Sequence, residues 1–229
     1  MTTTFNFSEY NCLNIMDLVY SLFGLDLDNF NNLVLFLEFM ICTNVLGYIF
    51  FCSTNKFYIK AFSHSMSLEV TWTLIPVVVL IFLGMPSLKI LFLSEILMTK
   101  INISLKVTGY QWYWSYSFPE FNISLMSYPN YLALFYRLAE SDLLILPMSS
   151  SIQTLITSQD VIHSWALPSL GFKMDACPGR LNYYVLSSNL PSLHIGQCSE
   201  LCGSYHSWMP IMVEFTSCSL FIEWLKNIL

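Results

Sequence analysis

The sequence predicts a membrane-anchored β protein, with two membrane-spanning helices followed by a small all-β sandwich or barrel. Two long apolar runs lie in the first hundred residues, and short alternating runs separated by turn residues fill the rest. Of the 229 residues, 55% are hydrophobic and only 10% are charged, against about 25% charged in an ordinary soluble domain. The chain is therefore too apolar for a plain soluble domain, and it is long enough for one domain plus additional elements.

The two apolar runs cover about residues 30–52 and 72–93. Each is long enough to cross a bilayer, which takes about 20 residues. Prolines inside the second run are compatible with a spanning helix because neighbouring groups satisfy the freed backbone. A buried helical hairpin of a soluble protein is the alternative, and the length and apolarity of both runs argue against it. We predict three parts: an N-terminal outer segment (1–29), a transmembrane hairpin (30–97) and an outer β domain (98–229).

The hairpin carries two features that bear on topology and partners. Its loop, at about residues 53–71, contains Lys56, Lys60 and His64 against one acid, whereas residues 1–29 contain four acids and no lysine or arginine. Because basic residues favour the inner side of a membrane, we expect the loop inside and both chain ends outside. The first run is interrupted by Glu38, and an intramembrane carboxylate is costly, so we expect it to contact a neighbouring subunit.

After residue 98 the pattern changes to short β-type runs. Apolar and polar residues alternate from Ile101 to Val107, and further runs lie at residues 143–146, 151–157, 182–187 and 211–216. Several short strands with turn residues between them are typical of a sandwich or barrel. Helical periodicity returns only at residues 220–229.

A single loop gathers most of the metal-binding side chains. Cys198, Cys202, His206 and Met209 form the pattern C-x3-C-x3-H-x2-M, and a second imidazole, His163, lies upstream. Soft sulfur ligands with imidazole select copper over magnesium, calcium or manganese, and a mononuclear blue-copper site needs only one cysteine. The second cysteine therefore predicts a dinuclear copper electron-transfer centre. Taken alone, the cysteine pair would also suit a redox disulfide or half of a zinc site, and His163 a core histidine.

The other cysteines show no ligand spacing. The total of 7 is odd and does not suggest a disulfide framework. We predict that the remaining five are buried small apolar residues: Cys12, Cys42, Cys52, Cys177 and Cys218. The formal net charge of -6 argues against a nucleic-acid partner and favours a basic protein partner.

These motifs resemble the family of mitochondrial cytochrome c oxidase subunit II. The resemblance rests on GYQWYWSY at residues 109–116 and on residues 160–170, 178–182 and 196–210, and it covers the hairpin and nearly all of the outer domain. It implies a cupredoxin-like Greek-key sandwich that carries the dinuclear copper centre CuA. All six copper-ligand positions of the family are occupied in this sequence by the residue types that the family has there.

The resemblance also implies a role for each ligand residue. Cys198 and Cys202 would bridge the two coppers, while His163 and His206 would each cap one copper. Met209 would be a weak ligand to one copper, and the backbone carbonyl of Glu200 would be the weak ligand to the other. The Glu200 carboxylate would also reach a magnesium ion shared with subunit I.

The function implied is electron entry into a haem-copper oxidase of the mitochondrial inner membrane, with both chain ends in the intermembrane space. Electrons from reduced cytochrome c would enter near Trp112 and pass to haem a in subunit I, where oxygen reduction and most proton pumping occur. Without the resemblance, the aromatic run around Trp112 predicts strand residues that pack a core or an interface. Glu69 is expected either at a proton-path entrance or simply as a carboxylate near a helix N-terminus.

The sequence departs from the family pattern at the expected docking face for cytochrome c. Residues 117–141 are apolar and rich in tyrosine, and Tyr110 stands where many relatives have histidine. This leaves four candidate docking acids: Glu120, Glu140, Asp142 and Asp160. A weaker docking surface, or charge contributed by another subunit, would follow.

Three other classes of protein share part of this pattern. Subunit II of a quinol oxidase has the same architecture but lacks the copper ligands. Nitrous oxide reductase has a similar copper loop but no helical hairpin, and it has a second catalytic metal domain. A copper-storage assembly protein would lack a one-electron redox signal.

Overall fold

A computed structural model describes residues 22–57, 64–96, 101–130 and 141–228. The expectations for residues 1–21, Cys12, Lys60 and Glu140 fall outside the described residues. The chain divides into two compact units, one spanning Asp26–Glu95 and the other built mainly from Ile96–Leu229. Each unit is described by itself.

The first unit consists of two long helices, α1 (Leu22–Thr54) and α2 (Met66–Ile96). Both are long and apolar enough to cross a membrane, and their apolar side chains are exposed in the isolated chain. The helices extend beyond the predicted spans because hydropathy marks only the lipid-facing part. At about 1.5 Å per residue each helix is close to 50 Å long, which exceeds a hydrocarbon core of about 30 Å.

The described residues of the second unit form a β-sandwich of ten strands followed by a short helix. The strands and the helix are β1 (Ile103–Tyr110), β2 (Tyr113–Phe118), β3 (Ile123–Ser127), β4 (Leu144–Pro147), β5 (Ile152–Ser158), β6 (His163–Leu167), β7 (Phe172–Ala176), β8 (Asn182–Leu186), β9 (Ser192–Gln197), β10 (Pro210–Thr216) and α3 (Cys218–Ile228). One sheet has the order β3-β2-β1-β5-β8, a second has the order β4-β10-β9, and β6 pairs with β7. The β1/β5 and β4/β10 pairs are parallel, and the others are antiparallel.

Most of the predicted β runs are confirmed. The alternating runs correspond to β1, β4, β5, β8 and β10, and the C-terminal helical pattern corresponds to α3. The strands β3, β6, β7 and β9 were not predicted. All five residues of β6 are buried, so this strand is covered on both faces and shows no alternation that a sequence pattern could reveal.

The aromatic run contributes to the core as predicted. Trp114, Tyr116 and Phe118 alternate along β2 and are at most 1% exposed. The Trp165 Nε1–H donates to the Tyr116 hydroxyl at 3.3 Å across the core. Phe118 also contacts the Phe221 ring of α3 at a centroid distance of 6.0 Å, so α3 closes this end of the sandwich.

The prediction that the scattered cysteines are buried is wrong for three of them. Cys42, Cys52 and Cys218 are exposed, and Cys177 is half-buried. Cys42 and Cys52 lie on the outer surface of α1, where the surroundings in a bilayer are themselves apolar. Cys218 is the first residue of α3.

Candidate metal centre

The candidate metal centre lies where the β9–β10 connection meets the start of β6. The Cys198 N–H donates to the Met209 carbonyl at 3.1 Å, which closes the ligand loop between the two strands. The Ser199 N–H donates to the Ser164 carbonyl at 3.0 Å, which ties the same loop to β6. His163 is the first residue of β6. Strand pairing therefore fixes its backbone.

The structure brings two thiols and two imidazoles together. The Cys198 and Cys202 Sγ atoms are 3.8 Å apart and unbonded. His163 Nδ1 lies 3.9 Å from Cys198 Sγ, and His206 Nδ1 lies 3.5 Å from Cys202 Sγ. The ligand atoms of His163, Cys198 and Cys202 all lie within 4.8 Å of one another. This donor set is one that soft or borderline metal ions prefer.

The centre is enclosed by protein on most sides. Cys198 is 6% exposed and Cys202 is 4% exposed, while His163 and Met209 are fully buried. The Glu200 carbonyl oxygen lies 3.3 Å from Cys198 Sγ, so its backbone faces the donor cluster. Glu200 itself is exposed.

Two glycine-dependent approaches shape the site. A Cβ atom at Gly109 would lie 2.8 Å from His163 Cδ2, so β1 can pass the imidazole closely only because this residue has no side chain. Gly203, between Cys202 and His206, has a φ of +124°, a conformation that other residues rarely adopt. Both positions allow ligands from distant parts of the chain to converge.

Asp160 orients His163. Its Oδ1 accepts a hydrogen bond from His163 Nε2–H at 2.8 Å, which leaves Nδ1 directed toward Cys198. The same carboxylate accepts the Gln111 and Val161 backbone N–H groups, each at 2.6 Å. Although partial burial opposes it, these bonds from His163, Val161 and Gln111 lower the pKa of Asp160. A carboxylate bonded to the distal nitrogen of a ligating histidine is a recurrent feature of metal sites.

The two thiols differ in acidity. Burial alone would raise the pKa of Cys198, but hydrogen bonding with the His163 ring and with the Ser164 backbone lowers it to about 7. Burial, followed by the negative charge on Cys198, raises the pKa of Cys202 to about 12. Cys198 is therefore the more acidic thiol of the pair, and metal binding requires Cys202 to lose its proton as well.

Trp112 lies beside the ligand loop. It is half-buried, and its ring meets Tyr205 edge-on at a centroid distance of 4.9 Å. A Cβ atom at Gly203 would lie 3.2 Å from the Trp112 ring, so the indole packs directly on the loop backbone. The preceding side chain, Gln111, donates from Nε2 to the Cys202 carbonyl at 2.8 Å. The aromatic run is thus joined to the loop by packing and by a hydrogen bond.

A second aromatic group next to Trp112 was not identified from the sequence. The Tyr110 and Tyr113 rings stack at 4.8 Å, and Tyr113 meets Tyr128 at 4.6 Å. Their spacing along β1, β2 and the end of β3 gives no periodic pattern in the sequence. Antiparallel pairing of Tyr110 with Tyr113 places the two rings together.

The predicted docking acids have different environments. Glu120 accepts the Ser104 N–H at 2.8 Å, and Asp142 accepts the Tyr128 N–H at 3.3 Å. Both remain exposed. Asp160 is instead engaged with His163 and with two backbone groups, so its carboxylate serves the metal centre more directly than the surface.

Glu69 is placed in the first turn of α2. Its carboxylate lies 3.5 Å from His64 Nε2, and its N–H donates to the Ser65 carbonyl at 3.1 Å. This position fits a carboxylate that stabilises a helix N-terminus.

The fold and the donor set define a class: a membrane-anchored, cupredoxin-like β-sandwich with a buried cysteine–histidine site that fits CuA. Comparisons with known proteins agree with this class. The family model described as cytochrome c oxidase subunit II, periplasmic domain, matches residues 103–216, and the model for its transmembrane domain matches residues 20–90.

Individual relatives give the same result. Cytochrome c oxidase subunit 2 of Apis koschevnikovi is 45% identical over 211 residues, covering 90% of this chain and 93% of the relative. The same subunit of Ctenocephalides felis is 45% identical over 195 residues, covering 82% and 86%. The crystal structure of the periplasmic domain of subunit II of cytochrome oxidase of Bradyrhizobium japonicum superposes with a TM-score of 0.54 at 35% identity, covering 56% of this chain and 94% of that one. The chain belongs to the cytochrome c oxidase subunit II family.

Proposed function

We propose that this chain is the electron-entry subunit of a mitochondrial cytochrome c oxidase. In this proposal it accepts electrons one at a time from reduced cytochrome c and delivers them to haem a in subunit I. The observation that carries the proposal is the convergence of the Cys198 and Cys202 thiols, 3.8 Å apart, with one imidazole beside each thiol. Two neighbouring sulfur atoms, which would bridge, and two separate imidazole nitrogens, which would cap, suit two metal ions better than one.

The residues that would hold a dinuclear copper centre are His163, Cys198, Cys202, His206 and Met209, with the Glu200 carbonyl. When bound, the copper pair would supply a one-electron carrier whose charge is shared by two metal ions. The protein's part is to keep the ligands still, because electron transfer is fast only when ligand positions change little between oxidation states. Burial of the thiols, pairing of His163 in β6 and the bond from Asp160 all restrain the ligands.

Electron entry is assigned to Trp112. The indole lies at the surface end of a short connection that runs through Gln111 to the Cys202 carbonyl, and a hydrogen bond of 2.8 Å closes that connection. Direct packing of the ring on Gly203 supplies a second contact with the ligand loop. Half-burial lets the ring meet a docked partner while it stays in contact with the site.

Docking of cytochrome c is assigned to the surface around Trp112. The net charge of -6 favours a basic partner, and the exposed carboxylate of Asp142, beside Tyr128, is available for it. Glu120 bonds to the Ser104 N–H at the opposite end of β1 from Trp112, so it does not belong to this surface. The stack of Tyr110, Tyr113 and Tyr128 adds an aromatic surface next to the indole. Aromatic faces attract lysine ammonium groups, so this stack could offset the small number of acids.

The remaining parts of the proposal concern the membrane and the partner subunits. The two helices would anchor the chain in the mitochondrial inner membrane, with the loop in the matrix and both chain ends in the intermembrane space. The exposed Glu200 carboxylate would reach a magnesium ion at the contact with subunit I. Glu69, in the first turn of α2, would lie near a proton entrance on the matrix side.

The test is reduction of the full-length, copper-loaded chain in detergent by reduced cytochrome c, followed in a stopped-flow spectrometer. We expect rapid uptake of one electron per chain, and slower uptake at high ionic strength because charged groups guide the encounter. Zinc-loaded protein is the control, since zinc has no redox chemistry. Failure to retain copper, or the absence of electron uptake by a copper-loaded chain, would contradict the proposal and favour a structural subunit of the quinol-oxidase type.

A further inference from the structure

The turn between β1 and β2 touches both halves of the metal centre. Gln111 and Trp112 are the two residues of this turn, and the residues on either side, Tyr110 and Tyr113, pair across the strands. The turn belongs to the five-stranded sheet, whereas the ligand loop joins β9 and β10 of the other sheet. Contacts from the turn to the ligand loop therefore link the two sheets at the metal centre.

Gln111 makes two hydrogen bonds that reach different halves of the centre. Its backbone N–H donates to the Asp160 carboxylate at 2.6 Å, and that carboxylate orients His163. Its side-chain Nε2 donates to the Cys202 carbonyl at 2.8 Å. Any residue except proline would keep the backbone bond, whereas the second bond requires a side chain with a hydrogen to donate.

The Trp112 indole lies against the ligand loop without a hydrogen bond of its own. Its Nε1–H is buried and has no partner among the described residues. A Cβ atom at Gly203 would lie 3.2 Å from the indole and also 3.2 Å from Gln111 Nε2, so both side chains meet the loop at the same point. Apolar packing has no preferred direction, but a hydrogen bond does. The Gln111 amide thus supplies the directional contact here.

We propose that Gln111 is a positioning residue for electron entry. Its side-chain amide fixes the backbone of Cys202 and Gly203 against the Trp112 indole, and so maintains the contact across which an electron passes from the indole to the ligand loop. The amide carries no charge and acts only through its neighbours. The inference rests on the proposed function, since it assumes that electrons enter at Trp112.

The test uses two glutamine substitutions in the full-length protein in detergent. Gln111→Met keeps a side chain of similar length and removes the donor. Because Gln111 is exposed, we expect the substitution to leave the fold intact, which thermal unfolding checks. Gln197→Met is the matched control: the Gln197 amide also donates to a carbonyl of the ligand loop, that of Ser207 at 3.5 Å, but this bond does not reach the β1–β2 turn.

The first measurement is hydrogen exchange in the metal-free protein. The His206 and Trp208 N–H groups bond to the Gly203 and Tyr205 carbonyls, so their exchange reports opening of the ligand loop. For Gln111→Met we expect exchange at these two amides to be about two- to tenfold faster, the effect of losing one hydrogen bond. The control should exchange at nearly the rate of the unsubstituted protein, because its bond is long.

The second measurement is electron uptake from reduced cytochrome c by the copper-loaded protein. Gln111→Met should lower the limiting rate at saturating cytochrome c by about two- to tenfold. The second-order rate at low cytochrome c should stay unchanged, since no charge is lost and charged groups guide the encounter. Copper content per chain should be the same in all three proteins.

Equal hydrogen exchange in Gln111→Met and Gln197→Met would overturn the proposal. An unchanged limiting rate would also overturn it, and if the second-order rate fell instead, Gln111 would be a docking contact and not a positioning residue. A copper-loaded, unsubstituted chain that takes up no electron would defeat the proposed function. Hydrogen exchange tells the two failures apart, because it needs neither copper nor cytochrome c.

Discussion

Replacing Asp160 with asparagine should weaken metal binding without removing any proposed metal ligand. The Asp160 carboxylate has two oxygens in use: Oδ1 accepts from His163 Nε2 and the Val161 N–H, and Oδ2 accepts from the Gln111 N–H. Asparagine has only one acceptor oxygen. If that oxygen keeps the His163 bond, the new amide NH2 meets the Gln111 N–H donor to donor. In the opposite orientation, the imidazole loses its acceptor.

The magnitude follows from the role of this bond. Loss of a partner that orients a ligating histidine typically lowers metal affinity about 10- to 100-fold, which is about 1.4 to 2.7 kcal/mol. The bond here is short, at 2.8 Å, and His163 is fully buried. No alternative acceptor for Nε2 is present among the hydrogen bonds of the described residues, so we expect the upper half of that range.

The assay is competition for copper between the full-length protein and a chelator of known affinity, with the thiols kept reduced. Asp142→Asn is the matched control because that carboxylate also accepts a backbone N–H, from Tyr128 at 3.3 Å, but bonds to no histidine. Thermal unfolding of the metal-free forms separates a loss of affinity from a loss of folding. An Asp160→Asn affinity equal to that of Asp142→Asn would refute the orienting role.

Three further predictions follow from the same geometry. Cys198→Ser should abolish the native copper spectrum, because one of two sulfurs 3.8 Å apart is lost, and an unchanged absorption spectrum would contradict the bridging role. Trp112→Leu should slow electron entry from cytochrome c while copper content stays constant, and stopped-flow rates equal to the unsubstituted protein would move the entry point elsewhere. Burial lowers the pKa of His194 to about 4 from 6.5, so the unfolded chain binds the proton first and stability falls as pH drops from 6.5 toward 4. By pH 5 this amounts to about 2 kcal/mol, and His194→Gln should show a correspondingly smaller drop in Tm between pH 7 and 5; an identical drop would exclude His194 as the cause.

The sequence predicted the features that depend on local pattern. Apolar run length identified α1 and α2, and alternation identified β1, β4, β5, β8 and β10. These signals are strong because each has one cause. A long apolar run reflects a helix in contact with lipid, and alternation reflects a strand with one face buried. The strand β6 could not be recognised in this way, since burial on both faces removes alternation. Its five residues were noted only as part of the family-like stretch at residues 160–170.

The candidate site was predictable as a set of residue types and not as a geometry. The soft donors of Cys198, Cys202, His206 and Met209 are close in sequence, and chemistry alone selected copper. The role of Asp160 was missed because its carboxylate acts through His163 and depends on loop backbone groups that fold around it. The stacked tyrosines were missed because strand pairing, not sequence spacing, places Tyr110 beside Tyr113.

Cys198 and Cys202 are proposed to hold two copper ions that share one electron. Electron paramagnetic resonance of the full-length, copper-loaded protein in detergent tests this most directly, with the copper-to-protein ratio determined on the same sample. We predict two coppers per chain and a spectrum in which one unpaired electron is split by two equivalent copper nuclei. One copper per chain with splitting from a single nucleus, or no bound copper, would contradict the account.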